Sequence, residues 1–290
     1  MQTDAVTWTL SSLVDAADRR GDAEITGITH DSRATRPGDL FCCIPGEVVD
    51  GHDFAGPARE AGAAALLVER FLEVDLPQAR VAAIRPVLGE IAARFYHQPS
   101  QKIPVAAVTG TNGKTTVTYL LEAIGTAAGR STGVIGTVSR RFAGIEEPAP
   151  RNTPEAPDLQ RLLRRMVDAH VDVVFLEATS DGLAQHRLRG THFVTAGFTN
   201  LTQDHLNTHG SMEAYFEAKA LLFDGSYTRS GVINIDDPYG RALADRIAFD
   251  VMTYGTDHAD IVFDGTFDAN GIRGVARTPS GDITIDSSLV

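Results

Sequence analysis

Hydrophobic and polar positions follow two rhythms along this chain. Short apolar runs bounded by Gly, Pro, Asn or Asp read as strands, and runs with apolar residues three and four apart read as helices. In the first third the strand-like pieces are EITGITHDS (24–32), DLFCCIPG (39–46), AALLVE (64–69) and RVAAI (80–84), with helices over 54–61 and 87–96. The polar, proline-punctuated HQPSQKIP (97–104) reads as a linker. VAAVTG (105–110) then predicts a strand, 114–128 a helix, 131–135 a strand, 157–169 a helix, and 171–178 and 194–200 two more strands. A helix from about Met212, the strand GVINIDD (231–237), a helix over 238–248 and the strand VMTYG (251–255) follow. From Ile261 the period drops to two, with turn signals at Asn270-Gly271 and 279–282, which predicts a small antiparallel appendage. Strands alternating with helices argue for an α/β fold. The expected division is an α/β unit over 1–98 and a P-loop, parallel-sheet unit over 99–290.

One helix breaks its own pattern. Ser211 offers an N-cap, and Met212, Tyr215, Phe216, Leu222 and Phe223 form an apolar stripe with Lys219 in its middle. Either the stem packs while the amine reaches water, or burial lowers the lysine pKa and favours the neutral amine.

Composition narrows the classes. The 290 residues are 43% hydrophobic and 22% charged, which suits a packed core, and carry a net charge of −12. No Lys/Arg run exceeds two residues, so no nucleic-acid partner is expected. Cys42 and Cys43 sit inside an apolar run and read as small buried hydrophobes. No leader-like segment and no long apolar run appears, so a cytoplasmic chain without membrane contact is expected.

The candidate chemistry starts at TGTNGKT. A strand, a glycine turn at Gly110 to Gly113 and a helix at Lys114 form a phosphate cradle, in which backbone N–H groups, Lys114 and the helix N-terminus face phosphate oxygens. Thr115 adds a hydroxyl for Mg²⁺. Val108 stands where the longer P-loop pattern has a further glycine, so the motif is the shorter G-x-x-G-K-T. A nucleoside triphosphate is the expected ligand. Glu177 ends a buried run, where a carboxylate is costly without a cation. Asp204, His205 and His209 crowd one segment, and the i,i+4 histidines lack the glutamate of a zinc helix. One solvated and one metal-facing histidine is the expectation.

TGTNGKT, Glu177, FTNLTQDHLNTHG and YFEAKALLF together resemble the Mur ligases of peptidoglycan synthesis. THDSRATRPGDLFCCIPGEVVDGHDF, RNTPEAPDLQ and DGLAQHRL resemble the branch that adds the third amino acid, and the resemblance covers essentially the whole chain. It implies an ATP-dependent amide ligase that joins meso-diaminopimelate or L-lysine to UDP-N-acetylmuramoyl-L-alanyl-D-glutamate through an acyl phosphate. It implies ATP at Gly110, Thr111, Asn112, Gly113, Lys114, Thr115 and Thr116, and Mg²⁺ near Thr115, Glu177, His205 and Lys219. Lys114, His205 and Lys219 would be catalytic, with Lys219 carbamylated to a carboxylate that binds a second Mg²⁺. His30, Ser32, Glu47, Val48 and Val49 would line the uridine-diphosphate pocket; Asn152, Thr153, Thr179, Gln185 and Arg187 would hold the muramoyl dipeptide. Two departures are expected to matter: Asp181 stands where the branch has histidine, and the family's C-terminal, amino-acid-selecting domain is not in this sequence. Two other readings compete: a non-catalytic nucleotide- or UDP-sugar-binding protein or partner subunit, and a P-loop kinase, which the signature in 24–54 opposes.

Overall fold

The computed structural model describes residues 7–16, 18–46, 48–204 and 209–289. The chain forms two compact units. One comprises Met1–Lys102, Pro154–Asp168 and Gln185–Thr191; the other comprises Ile103–Thr153, Ala169–Ala184 and His192–Val290. The sequence reading places 157–169 wholly in the later unit; by packing it belongs to the first. Leu159, Leu162, Leu163 and Met166 make a buried stripe on the helix Ala156–Asp168, which packs against the helix Ile84–Phe95. Local periodicity predicts the helix but not which sheet it covers.

Among the described residues the first unit carries a five-stranded sheet ordered Asp18–Arg20, Gln78–Arg80, Ala65–Val68, Asp39–Cys42, Gly27–Thr29, parallel except for the first strand. EITGIT is split: Glu24–Ile25 pairs with Trp8–Thr9 in a separate two-stranded sheet, and Gly27–Thr29 pairs with the strand Asp39–Cys42. The predicted strand at RVAAI lies slightly earlier, because Ile84 opens a helix. Cys42 and Cys43 are free and buried in the core with Leu40, Phe41, Leu66 and Leu67. Burial pushes the Cys43 thiol up to about 12.

In the second unit the strands run Ile145–Pro148, Ser139–Phe142, Thr132–Ile135, Val173–Glu177, Val105–Thr109, Thr195–Phe198, Gly231–Asn234, Val251–Gly255, Ile261–Asp268, Gly271–Thr278, Gly281–Ser287. The middle of this sheet is parallel, and its central strand Val105–Thr109 is buried throughout, as its apolar run requires. From that strand the chain builds outward on one side, returns to lay Val173–Glu177 beside it, and then builds on the other side. The reversal opens a crevice at the carboxyl ends of Val105–Thr109 and its neighbours, the usual ligand site of such sheets. The predicted appendage is antiparallel and continues the same sheet through Tyr254 and Ile261. The hairpin over 139–148 was not expected from the sequence.

Gly89 lies inside the helix Ile84–Phe95, yet a Cβ there would overlap the Arg189 carbonyl. Gly→Ala within a helix ordinarily gains up to about 1 kcal/mol. Here backbone meets backbone, so Gly89→Ala is expected to destabilise the first unit by about 1–3 kcal/mol. Urea unfolding checks this; a higher midpoint for the variant would contradict the packing.

Candidate functional site

The crevice is built around the glycine turn. Gly110 and Gly113 take φ of +147° and +86°, a region open chiefly to glycine, and a Cβ on Gly110 would overlap the Thr199 hydroxyl. The turn is clamped by the end of the neighbouring strand Thr195–Phe198. Thr199 Oγ1 donates to the Asn112 carbonyl (2.6 Å), Asn200 Oδ1 accepts from Asn112 N–H (3.0 Å), and Thr111 N–H donates to the Asn200 carbonyl (2.9 Å). The helix Lys114–Ala127 starts directly after the turn with no side-chain cap, which leaves its first N–H groups to a ligand. Thr116 is exposed in that first turn.

Lys114 Nζ donates to the carbonyls of Gly110 and Thr111, both at 2.8 Å. Burial lowers its pKa, opposed by Glu177 and Asp204. Lys219, from the helix Met212–Ala220, is 1% exposed, and its Nζ donates to the same Gly110 carbonyl at 2.8 Å. The amine therefore ends on a buried carbonyl, and the snorkelling reading is wrong. Burial, reinforced by the neighbouring Lys114 charge, lowers the Lys219 pKa to about 7. Its ammonium lies 4.4 Å from the Tyr215 ring centre, and the Tyr215 hydroxyl meets Thr111 Oγ1 at 3.3 Å.

Glu177 ends its strand fully buried. Its carboxylate accepts from Thr115 Oγ1 (3.0 Å), Thr137 Oγ1 (2.8 Å) and Thr137 N–H (3.1 Å). A buried carboxylate and a threonine hydroxyl in contact are hard oxygen donors, and they fit Mg²⁺. His205 lies outside the described residues; among the described ones no cluster of three or more His, Cys, Asp or Glu stands ready to hold a metal. His209 is not solvated: Nε2 meets Ser180 Oγ at 2.9 Å and Asp181 Oδ1 at 3.4 Å, and the ring packs on Tyr215.

The other expected residues fall in two groups. Thr153 Oγ1 donates to the Glu177 carbonyl (2.9 Å) and meets Thr179 Oγ1 (2.9 Å), while Asn152 is exposed beside it. These belong to the second unit. Gln185 and Arg187 belong to the first, where Arg187 Nη2 donates to Gln185 Oε1 at 2.6 Å. His30 and Ser32 follow the strand Gly27–Thr29, and Val48 and Val49 follow its parallel neighbour Asp39–Cys42, so both segments leave the same end of that sheet. The His30 Nδ1 atom is buried without a hydrogen-bond partner among the described residues. Val48 is 95% exposed on a loop closed by Gly46 N–H to the Val49 carbonyl. Glu47 lies outside the described residues. The sequence reading missed Thr137, Thr199, Asn200 and Tyr215 as parts of the site. GFTN at a strand end was the one available signal for two of them.

Comparison with known proteins follows this geometry. Residues 108–290 match the Mur ligase middle domain, and residues 24–96 match the catalytic domain of the Mur ligase family. A UDP-N-acetylmuramoyl-L-alanyl-D-glutamate--2,6-diaminopimelate ligase of Geobacter metallireducens is 43% identical over 92% of this chain and 54% of its own length. The Geobacter sulfurreducens protein of the same name is 42% identical over 97% of the chain and 58% of its own length. A solved structure of that name aligns with a TM-score of 0.81 at 29% identity, covering 92% of this chain and 56% of that one. The chain thus spans little more than half the length of these relatives. With its central residues matching throughout, the chain belongs to the Mur ligase family.

Proposed function

We propose that the chain provides the ATP- and UDP-sugar-binding portion of an amide ligase of peptidoglycan synthesis. The ligase joins 2,6-diaminopimelate, in preference to L-lysine, to UDP-N-acetylmuramoyl-L-alanyl-D-glutamate in the cytoplasm. The observation that carries this reading is the convergence of the buried Lys219 and the half-buried Lys114 on the Gly110 carbonyl, in a glycine turn next to a buried carboxylate. The relatives' names supply the substrate pair. Among the described residues no helix is long and apolar enough to cross a membrane.

The reaction requires a substrate carboxylate to attack the γ-phosphate, forming an acyl phosphate that the incoming amine then opens. Two anions approach each other in the first step. The glycine-turn amides and the helix N-terminus hold the triphosphate, and Lys114 turns from the backbone carbonyls to a phosphate oxygen, offsetting the repulsion. Thr115 and Glu177 would hold Mg²⁺, which supplies charge neutralisation on the phosphates. Thr137 fixes the Glu177 carboxylate through two donors, so the anion is oriented before the ligand arrives. Lys219 serves as the carbamate: its neutral nitrogen bonds the carbon of CO₂, a C=O electron pair moves to oxygen, and the amine proton leaves to water. Burial beside Lys114 favours the neutral amine that this step needs.

The nucleotide reading predicts that the chain binds MgATP and that Lys114→Ala weakens binding about 10–100-fold, the worth of a charge-assisted bond. Titration calorimetry measures both. Failure of the wild-type chain to bind either ATP or the UDP-muramoyl dipeptide would sink the proposal.

The lysine pKa carries a pH signature. Between about 7 and the ordinary value of 10.5, the unfolded chain holds a proton on Lys219 that the folded chain has released. Folded stability therefore rises with pH across that window, and the full penalty of a buried ammonium is felt below it. Lys219→Met is expected to melt above wild type at pH 6, by about 2–4 °C for each kcal/mol regained. The gap should close towards pH 10 in CO₂-free buffer. A gap independent of pH would show that the amine is not titrating there.

A further inference from the structure

The turn that holds Glu177 is itself exposed. Thr137 donates to the carboxylate through Oγ1 and N–H, yet Thr137 and Val138 lie open to solvent, Val138 at 62%. Gly136 brings the backbone so close that a Cβ would overlap Glu177 Oε1. A turn this exposed opens easily unless the strand that follows it is fixed. Four residues beyond Thr137 stands Arg141, on the strand Ser139–Phe142, opposite Val134 of the strand Thr132–Ile135. Its guanidinium grips the helix Lys114–Ala127 as a fork: Nε donates to Glu122 Oε1 at 3.3 Å and Nη2 to Glu122 Oε2 at 2.5 Å. Nη1 donates to the Tyr119 hydroxyl at 2.6 Å and to Ser139 Oγ at 3.2 Å, and the group stacks 4.1 Å from the Tyr119 ring centre.

These contacts close a ring. Thr115, Tyr119 and Glu122 recur at helical spacing along one side of the helix. Thr115 meets Glu177 from that helix, and Thr137 meets it from the turn. Arg141 ties the strand after the turn back to the same helix, one and two turns beyond Thr115. The spacing of the two threonine hydroxyls on Glu177 is therefore set by the Arg141 fork. A surface ion pair is ordinarily worth little. This one is bidentate, reaches a hydroxyl as well, and has an arginine side chain only 19% exposed, which is the geometry that fixes a position.

We infer that Arg141 is a positioning residue for the Glu177 carboxylate: by locking the hairpin to the helix it keeps Thr137 and Thr115 at the spacing that aims Glu177 at a divalent cation. This rests on the proposed function, which puts Mg²⁺ at Thr115 and Glu177. Arg141 acts through Thr137 and touches neither nucleotide nor metal ion. Its loss frees the turn, Thr137 spends time away from the carboxylate, and the anion loses its orientation. The glycine turn, clamped separately by Thr199 and Asn200, keeps its shape. The effect therefore falls on the metal-dependent share of nucleotide binding alone.

Calorimetry on the intact chain separates that share by titrating ATP in excess Mg²⁺ and ATP in chelator. Wild type should bind more tightly with Mg²⁺. Thr137→Val removes one donor from Glu177 and should shrink the Mg²⁺ advantage by about 10–100-fold, as loss of a group that orients a metal ligand does. Arg141→Gln acts one contact further away and should shrink it by about 3–10-fold, with the metal-free affinity unchanged. Arg141→Lys keeps the charge without the fork and should behave like Arg141→Gln. In a Thr137→Val background, Arg141→Gln should have no further effect on the advantage. A purely structural role would instead lower both affinities and add to the first substitution. Where Arg141→Gln does not fold, Glu122→Gln breaks the same fork at a side chain one-quarter exposed and carries the test. An Mg²⁺ advantage intact in the fork variant, or a metal-free affinity that falls as far as the Mg²⁺-bound one, overturns the inference alone. A wild-type chain that binds ATP without any Mg²⁺ advantage overturns the metal reading of Glu177 and the inference with it. One that binds no ATP overturns the nucleotide reading as well.

Discussion

One carbonyl oxygen organises the second unit. Gly110 follows the central strand Val105–Thr109, and its oxygen accepts from both Lys114 and Lys219. Two ammonium groups on one acceptor in a buried place repel each other, and burial adds to the cost. The arrangement is tolerable only if one amine gives up its proton or an anion arrives. The surroundings are built for both: Lys219 is poised near neutrality, and the turn leaves helix N–H groups open to phosphate. The clamp from Thr199 and Asn200 keeps the carbonyl aimed, and Tyr215 ties the lysine helix to the turn through Thr111.

The buried charges in each unit answer to the same constraint. Glu177 is satisfied by two hydroxyls and one amide, an arrangement that holds the carboxylate still without cancelling its charge. Glu155, in the other unit, accepts from Arg85 and lies against Arg187. The Glu177 site is left open to a cation.

Much of this was legible in the sequence because the signals are local. The glycine turn between strand and helix, the carboxylate closing the run VDVVFLE, and the lysine inside an apolar helical stripe each state their burial within a dozen residues. Contacts made across the sheet were not legible. Thr137 reaches Glu177 over forty positions, and nothing around Thr137 marks it. The hairpin over 139–148 was missed because its strands place charges across the ladder, Arg140 opposite Glu147 and Arg141 opposite Glu146 in register, in place of an apolar alternation. That the helix Ala156–Asp168 groups by its contacts with the first unit was not legible, because periodicity reports a buried face but not its partner.

The interleaving of the two units has a consequence for how the chain is made. The backbone passes between them five times, and the first unit receives its last piece only at Thr191. Synthesis proceeds from the N-terminus, so the leading hundred residues emerge without the helix Ala156–Asp168 and must wait with the apolar face of Ile84–Phe95 uncovered. By the time Thr191 emerges, the strands Val105–Thr109, Thr132–Ile135 and Val173–Glu177 have left the ribosome. The two units therefore cannot mature one after the other like beads on a string, and a chaperone that shields that helix would be guarding the interval.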